Sequence, residues 1–403
     1  MTTRDDIVNP IDEHGEIAFG DLARARRECP VGRTDAGFWF VSRYEDVLDG
    51  VKAVDRFVSS FRDPGVVVPD DEKMLFEIAE PRHGQVRKVI NASIALHKVS
   101  RLEPFIRKLC GDRLDDFLAG EHNDFLEDVI APISTIVISH LIGVPPEDYA
   151  RFKAWSDEVV AGTYVTQNRT ERGEGLAGSH PEFAAYLDAR IAESHRIDDP
   201  PDCLLTKLVQ AEVDGVRLTD VEIRTQAFFL VIAGNETTRH AMGNLVQAFT
   251  LNPDLYQRVC ANRDLVPNAV EESLRHDSPT NILMRDCIRD VEIGGHVVRA
   301  GEKIVFGVSS ANRDETVFED PDAFRLDRPD PRAHVAFGAG PHVCPGAALA
   351  RLEARVFVEA LCDRVERLEF APGHTVRKND VFWSNGPAAL PVRCTPRERV
   401  AAS

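Results

Sequence analysis

Residues 334–353, HVAFGAGPHVCPGAALARLE, place one cysteine between a glycine-rich run and the predicted start of a helix. Pro345, directly after Cys344, suits the first helical turn, where a missing N–H group has no partner to lose. A thiolate at a helix N-terminus is stabilised by the positive end of the helix dipole and by free N–H groups. The nearest other cysteine, Cys362, falls inside the same predicted helix, so neither a disulfide nor a zinc site is expected here.

Four roles for Cys344 are consistent with this pattern. The residue can be a buried structural thiol, a catalytic nucleophile with His342 as its base, a redox-sensing thiol, or the axial thiolate of a haem iron. A single cysteine suffices for the last of these roles. The spacing within the segment leaves all four open, and the choice depends on the rest of the chain.

Composition and charge narrow the class of protein. The chain has 403 residues, of which 43% are hydrophobic and 28% charged, as in globular proteins with a sizeable core. Its net charge of −18 argues against a nucleic-acid partner. Eight scattered cysteines without a C-x-x-C pair are typical of a reducing compartment. The N-terminal segment lacks an apolar export signal, and the most apolar helical stretch, residues 227–234, is too short to span a membrane. We therefore expect a cytoplasmic protein without a membrane anchor.

The hydrophobic pattern predicts a chain that is mostly helical. A 3.6-residue apolar period dominates from about residue 82 to residue 160. Residues 219–252 are predicted to form one long helix, because Thr219 and Glu222 form a capping box at its start and Asn252–Pro253 end it. Another helix is predicted after Cys344.

Few segments are predicted to be strands. Residues 37–41 (GFWFV) and 389–394 (ALPVRC) have the composition of strands, and residues 291–307 are predicted to form a hairpin of two strands about Gly294–Gly295. No internal repeat or linker divides the chain. The predicted fold class is mainly α with minor β, and residues 1–403 are expected to form one domain.

The cysteine segment resembles the ligand loop of the cytochrome P450 family. Phe337, Gly340, Cys344 and Gly346 match the pattern F-x-x-G-x-x-x-C-x-G of that loop. Other motifs similar to those of the family follow the family's order along the chain: His83-x-x-x-Arg87, AGNETT at 233–238, and Glu272-x-x-Arg275. The resemblance extends from about residue 37 to residue 394.

This resemblance implies a P450-type helical domain with small β-sheets and a haem b (iron protoporphyrin IX) bound by Cys344. It implies a monooxygenase that inserts one atom of O2 into an apolar small molecule, with a terpenoid, a steroid or an aliphatic chain favoured. The sequence has no separate G-x-G-x-x-G nucleotide-binding unit. Electrons from NAD(P)H are therefore expected to arrive through a reductase and a small ferredoxin. An acidic ferredoxin would prefer the cysteine side if these cations cluster there: Lys88, Arg101, Arg107, Lys108 and Arg113.

The resemblance also implies which residues contact the haem. Cys344 would be the metal ligand, and the two propionates would be held by His83, Arg87, Arg285 and His342, each through a charge-assisted bond. Without the resemblance, His83 and Arg87 would indicate only a solvated helix face, because they lie four residues apart. The full set expected to bind the cofactor is His83, Arg87, Ala233, Gly234, Arg285, Phe337, Gly338, His342, Cys344 and Gly346.

Glu236 and Thr237 are the candidate catalytic residues. Burying an acid in an apolar turn of a helix is costly unless the acid has a partner or a function. The resemblance implies that Thr237 holds dioxygen by a hydrogen bond and that Glu236 relays protons from solvent. The alternative is a solvent-facing pair on an amphipathic helix. Gly234, a poor helix former, predicts a local opening of the helix beside the oxygen site.

Glu272 and Arg275 are expected to be structural. Their spacing alone would indicate an ordinary surface ion pair. The resemblance implies a buried network with a third arginine that braces the cysteine loop. Ala323 stands where the family often has that arginine, so we expect Arg328 to complete the network, with Arg325 as the alternative.

The substrate pocket is expected to be lined mainly by aliphatic and small side chains. The candidate lining residues come from segments far apart in the chain: Val67, Phe229, Ile232, Ile282, Leu283 and Asn385. Rival functions on the same fold are peroxide-driven oxygenation and nitric oxide reduction. A rival of another class is a haem-thiolate protein that senses gas or binds a ligand.

Overall fold

The computed structural model describes residues 7–12, 14–62, 68–94, 99–120, 124–161, 175–198 and 201–398. Most of these residues are helical, and the prediction of a mainly helical fold with small sheets is confirmed. The helices are α1 (Phe19–Glu28), α2 (Tyr44–Lys52), α3 (Arg82–Ser93), α4 (Glu103–Ala119), α5 (Ala131–Ile142), α6 (Tyr149–Ala161), α7 (Gly175–Ser179), α8 (Pro181–Arg196), α9 (Leu204–Gln210), α10 (Asp220–Leu251), α11 (Pro253–Ala261), α12 (Val266–His276), α13 (Val308–Ala311) and α14 (Ala347–Arg364).

The strands form one mixed sheet and two small ribbons within the described residues. They are β1 (Val31–Arg33), β2 (Trp39–Val41), β3 (Phe57–Ser59), β4 (Ile282–Cys287), β5 (Val291–Ile293), β6 (His296–Val298), β7 (Lys303–Gly307), β8 (Val365–Phe370) and β9 (Val392–Pro396). The five-stranded sheet has the order β1-β2-β7-β4-β3, in which only β2 and β7 are parallel. The ribbons are β5-β6 and β8-β9, both antiparallel.

Helix α10 is the central element of the core. Its 32 residues begin at the predicted capping box, where the Thr219 side chain accepts a hydrogen bond from the Glu222 N–H, and end before Asn252. At 1.5 Å per residue the helix is about 48 Å long, enough to cross the whole fold. Helix α10 packs against α5, α6, α8, α12 and α14, so its own buried side chains lie on nearly every side of it. Side chains from the middle of α10 therefore face the space between those helices.

Two local predictions differ from the structure. The hairpin about Gly294–Gly295 is present as β5 and β6, but the end of the predicted second strand, β7, leaves it and pairs with β2 and β4. The local opening expected at Gly234 is wrong, because α10 is continuous α-helix through that residue. No helix in the described ranges is both long enough and apolar enough to cross a lipid bilayer.

Candidate functional site

A cavity of about 780 Å³ lies between the middle of α10, the cysteine loop, α3 and β4. Its wall includes Cys344 and Thr237, which lie at separate points of the sequence and on separate elements. All ten residues expected to contact the cofactor line this one cavity: His83, Arg87, Ala233, Gly234, Arg285, Phe337, Gly338, His342, Cys344 and Gly346. The fold thus brings together side chains that the sequence separates by more than half its length.

The cysteine loop folds back tightly on itself. The Cys344 N–H donates to the Phe337 carbonyl at 2.9 Å, and the two glycines between them have left-handed backbones, with φ of +69° at Gly338 and +67° at Gly340. A side chain at Gly340 would also meet Lys52, at 2.9 Å from a Cβ. Glycine is required at such positions because other residues rarely adopt a positive φ. The turn leaves the cysteine side chain at the wall of the cavity.

The groups around the Cys344 sulfur would stabilise its thiolate once the sulfur is bonded to a metal ion. Burial raises the pKa of the Cys344 thiol, while hydrogen bonds from the backbone of Gly346 and Ala347 and the charge of Arg87 oppose that rise. Pro345 supplies no N–H, so the next two residues, at the start of α14, provide these donors. Bonding to a metal ion deprotonates a thiol outright, and the N–H groups then stabilise the anion.

A buried ion network binds the segment of chain that precedes the cysteine loop. Arg275 binds Glu272 through two hydrogen bonds of 2.8 Å, and Arg328 Nε binds the same carboxylate at 2.8 and 3.0 Å. The Arg328 guanidinium also donates to the carbonyls of residues 319, 320 and 323. Arg325 contributes only its backbone N–H to Glu272, and its side chain turns outward to Glu319 and Asp327. The third arginine of this network is therefore Arg328.

Four nitrogen-bearing side chains converge on one part of the cavity. The rings of His83 and His342 lie 4.1 Å apart, and Arg87 donates to the Val343 carbonyl. Burial, followed by the positive charges of His83, Arg285 and Arg87, lowers the pKa of His342 to about 3. Burial alone lowers the pKa of Arg285 to about 10. Arg87 and Arg285 therefore concentrate positive charge in one part of a mostly apolar cavity.

This cluster fits the two carboxylates of a haem. Among the residues that the structure describes, Nε2 of His83 is buried without a hydrogen-bond partner, although the other ring nitrogen contacts Glu80 at 2.9 Å. Arg285 has no carboxylate partner among the residues that the structure describes, and it donates only to the carbonyl of Met284. Buried donors without acceptors and buried charges without counter-ions are costly, so the site is built for an anion. The cysteine on the same cavity completes the donor set for an iron porphyrin.

Thr237 and Glu236 face different surroundings. The Thr237 side chain lines the cavity, and its hydroxyl donates to the Ala233 carbonyl at 2.7 Å. Glu236 is buried outside the cavity wall, with Oε1 3.2 Å from Nε2 of His240. Burial raises the pKa of Glu236, as do the nearby carboxylates of residues 127 and 157, while the cations Arg239 and Lys153 oppose the rise. Thr237 reaches the cavity directly, whereas Glu236 lies behind it.

The expected substrate-pocket residues are only partly placed as predicted. Phe229, Ile232 and Leu283 line the cavity. Ile282 does not, because successive side chains of a strand point to opposite faces, and it is buried in the core around β4 and β7 instead. Asn385 is also wrong as a lining residue, since its amide donates to the Ser278 carbonyl. Val67 lies outside the described residues.

The cavity wall is more aromatic than expected. Phe76 contacts Phe61 and Phe229 with ring centroids 5.6 and 5.4 Å apart, and Phe61 contacts Trp383 at 6.3 Å. Phe382 lines the same wall. Aliphatic and small side chains still make up most of the lining, as expected, and the aromatic rings are present in addition to them. These rings come from four separate segments, so no local pattern in the sequence groups them.

Sequence reasoning also missed two buried titratable residues. Glu353 on α14 lines the cavity, and burial raises its pKa well above the usual range. His240 lies one helical turn after Glu236 on α10 and is fully buried. Arginines lie within two residues of each of them, so the sequence does not single out either residue as buried.

Comparisons of the sequence and of the structure match this chain to the following family model and proteins. The family model described as Cytochrome P450 matches residues 182–386. A steroid C26-monooxygenase of Mycolicibacterium smegmatis is 34% identical over 381 residues, covering 94% of this chain and 92% of that protein. The structure of cytochrome P450 CYP109Q5 from Chondromyces apiculatus matches with a TM-score of 0.84 and 35% identity, covering 94% and 95% of the two chains. That of CYP109E1 from Bacillus megaterium with testosterone matches with a TM-score of 0.82 and 30% identity, covering 93% and 98%.

Proposed function

This chain belongs to the cytochrome P450 family, and we propose that it inserts one atom of O2 into an apolar small molecule at a haem bound by Cys344. The observation that carries the proposal is a single cavity that joins the cysteine thiol, a cluster of four nitrogen side chains and the Thr237 hydroxyl. A bound haem would be held by the Cys344 thiolate and would supply oxygen activation. The other contributions come from residues of the chain.

The propionate partners are proposed to be His83, Arg87, Arg285 and His342. Their convergence supports this assignment, because two carboxylates would neutralise the positive charge and satisfy Nε2 of His83. A hydrogen bond to a charged group contributes about 1.5–3 kcal/mol, so several of them fix the orientation of the ligand as well as its affinity. The network around Glu272 would keep the cysteine at a constant position relative to these donors.

Thr237 is proposed to bind the oxygen that reacts. Its hydroxyl donates to the Ala233 carbonyl. The hydroxyl would either turn to donate to the reacting oxygen or accept a hydrogen bond from that oxygen once the oxygen carries a proton. Glu236 is proposed to supply protons to this point from behind the cavity wall. An acid whose pKa is raised by burial retains a proton to donate closer to neutral pH than an exposed carboxyl would.

The substrate is proposed to be an apolar molecule of terpenoid, steroid or aliphatic type, with a flat fused-ring skeleton favoured. The ring contacts of Phe61, Phe76, Phe229 and Trp383 support that preference, because aromatic side chains pack closely on flat apolar surfaces. The relative named steroid C26-monooxygenase and the testosterone-bound neighbour lend further support.

Electrons are proposed to come from NAD(P)H through a ferredoxin reductase and a ferredoxin. Most of the cations expected to attract an acidic ferredoxin have ion-pair partners: Lys88 with Asp214, Arg107 with Glu103 and Glu359, Lys108 with Asp112, and Arg113 with Asp116. Docking would therefore depend on the shape of the surface and on rearranged ion pairs more than on a free basic patch.

We also propose that the protein is cytoplasmic, which its eight free thiols support. Residues 1–403 are proposed to form a single domain.

The proposal is tested by replacing Thr237 with alanine. The haem-loaded variant should bind substrate normally and consume NAD(P)H at a near-normal rate, but release hydrogen peroxide and form much less product per electron pair. Thr225→Ala, on the same helix but outside the cavity wall, is the matched control and should keep wild-type coupling. Unchanged coupling in Thr237→Ala with a turned-over substrate would contradict the proposed oxygen site.

A further inference from the structure

His240 joins two parts of the molecule that the proposed function does not connect. On one side, its Nε2 lies 3.2 Å from Oε1 of Glu236, one helical turn earlier on α10. On the other side, its Nδ1 lies 2.8 Å from Oγ of Ser384. Ser384 belongs to the loop of residues 379–386, and the residues just before it, Phe382 and Trp383, line the cavity. A single imidazole therefore bridges the buried acid and the cavity-lining loop.

The loop is packed tightly against this ring. A Cβ built on Gly386 would lie 2.3 Å from the His240 ring, so only glycine fits there. The Asn379 amide nitrogen lies 3.3 Å from Nε2 of His240, 3.2 Å from Ser384 Oγ and 3.3 Å from the Gly386 carbonyl. The loop backbone and the histidine can hardly move independently of each other.

His240 stays neutral through the ordinary pH range. Burial, together with the positive charges of Arg239 and Lys378, lowers its pKa to about 3. A neutral imidazole carries one proton, on either Nδ1 or Nε2, and its neighbours determine which. The Asn379 amide favours an unprotonated Nε2, whereas an ionised Glu236 favours a proton on Nε2. The charged groups that face Glu236 are Arg239 on its own helix, Lys153 and Asp157 on α6, and Glu127 in the turn before α5.

We propose that His240 is a positioning residue whose tautomer couples the proton on Glu236 to the cavity-lining loop. When Glu236 is ionised, Nε2–H donates to its carboxylate, the two N–H groups of the Asn379 amide go to Ser384 Oγ and the Gly386 carbonyl, and Nδ1 accepts from the Ser384 hydroxyl. When Glu236 takes up one proton from solvent, its O–H donates to Nε2, and the ring proton is on Nδ1 and donates to Ser384. The pair gains one proton and the ring remains neutral in both states. This inference rests on the proposed role of Glu236 as a proton donor.

The first experiment follows both partners by spectroscopy in the resting haem-loaded protein. The ¹⁵N shifts of His240, assigned by their loss in His240→Gln, report its tautomer. The infrared carbonyl band of protonated Glu236, assigned by its loss in Glu236→Gln, reports its titration. We expect the tautomer to change with the same apparent pKa as the infrared band and without an imidazolium signal. A tautomer that stays constant while Glu236 titrates would overturn the proposal.

The second experiment removes the hydrogen bond between His240 and the loop with Ser384→Ala. In this variant the acid form of Glu236 would leave a buried Nδ1–H without an acceptor, which is costlier than an acceptor without a donor. The apparent pKa of Glu236 should therefore fall by about one unit, the equivalent of one typical hydrogen bond. His140→Asn is the matched control, since His140 is exposed and stacks on Phe105, and it should not move the band. An unshifted band in Ser384→Ala would overturn the link to the loop.

Oxygen consumption separates this inference from the proposed function. If Glu236 donates protons during turnover, the alkaline fall in rate should move down by the same unit in Ser384→Ala. If the spectroscopic pKa moves and the rate profile does not, the coupling through His240 is supported, and the role of Glu236 as the proton donor is refuted.

Discussion

Cys344 and Cys362 are close in the sequence but lie in different surroundings. Cys344 lines the cavity at the start of α14, and Cys362 is fully buried in the apolar core near its end. If Cys344 is the axial ligand, the ferrous carbon monoxide complex of the wild-type protein should show the strongly red-shifted Soret band of thiolate ligation. Cys344→Ala should lose that band, and Cys362→Ala should keep it. A thiolate spectrum in Cys344→Ala would contradict the assignment.

Glu353 is the other residue of α14 whose environment has a measurable consequence. Because burial holds its folded-state pKa well above the ordinary value of 4.5, the folded chain binds its proton more tightly than the unfolded chain does. Below pH 4.5 both states are protonated and the residue costs nothing. Above that pH the unfolded state loses the proton first, so stability falls by about 1.4 kcal/mol per pH unit until the folded pKa is reached.

Glu353→Gln removes this titration and should keep the shape of the side chain. The variant should match the wild type near pH 4.5 and become progressively more stable than the wild type as the pH rises. Urea unfolding midpoints of the haem-loaded proteins, compared at several pH values, measure the difference. A constant difference between the two proteins across the range would show that Glu353 is not held protonated by the fold.

At the scale of the elements, the parts predicted from sequence are those fixed by local interactions. The bounds of α10 follow from the Thr219 capping box and the stop at Asn252, both of which act within a few residues. The strand β7 was assigned to the wrong pairing because its partners, β2 and β4, are set by tertiary contacts. The same limit applies to β8, whose residues continue the helical apolar pattern of α14 until they pair with β9.

The residues of the candidate site fall into the same two groups, those recognisable from local sequence and those placed only by tertiary contacts. The cysteine loop was recognisable because its glycines and cysteine are close in sequence and depend on a single tight turn. The hydrogen bond between His240 and Ser384 joins residues 144 positions apart, and no local pattern indicates it. The faces of Ile282 and Leu283 required the register of β4, which only the assembled sheet defines.

On the scale of the whole molecule, the nitrogen cluster takes its side chains from three separate segments. His83 and Arg87 come from α3, Arg285 from β4, and His342 from the turn before Cys344. In the protein chain alone, burial is the main reason why the pKa of His342 is lowered, and the charges of His83, Arg285 and Arg87 lower it further. A bound haem with two carboxylates would attract the two arginines and would connect the helical part of the fold to the sheet. Haem binding is therefore expected to stabilise the whole chain, by mass action on the folded state.

Arg285→Met tests this view, because the substitution should have opposite effects in the two forms of the protein. In the haem-free form it removes a buried guanidinium that has no carboxylate partner among the described residues, so the urea midpoint should rise. In the haem-loaded form it removes a charge-assisted bond worth about 1.5–3 kcal/mol, so haem should transfer faster to an excess of apomyoglobin, by roughly one to two powers of ten. Arg101→Met, at an exposed position next to α4, is the control and should change neither quantity. A haem-free form weakened by Arg285→Met would mean that the guanidinium is stabilised by the chain itself, and an unchanged transfer rate would remove Arg285 from the propionate site.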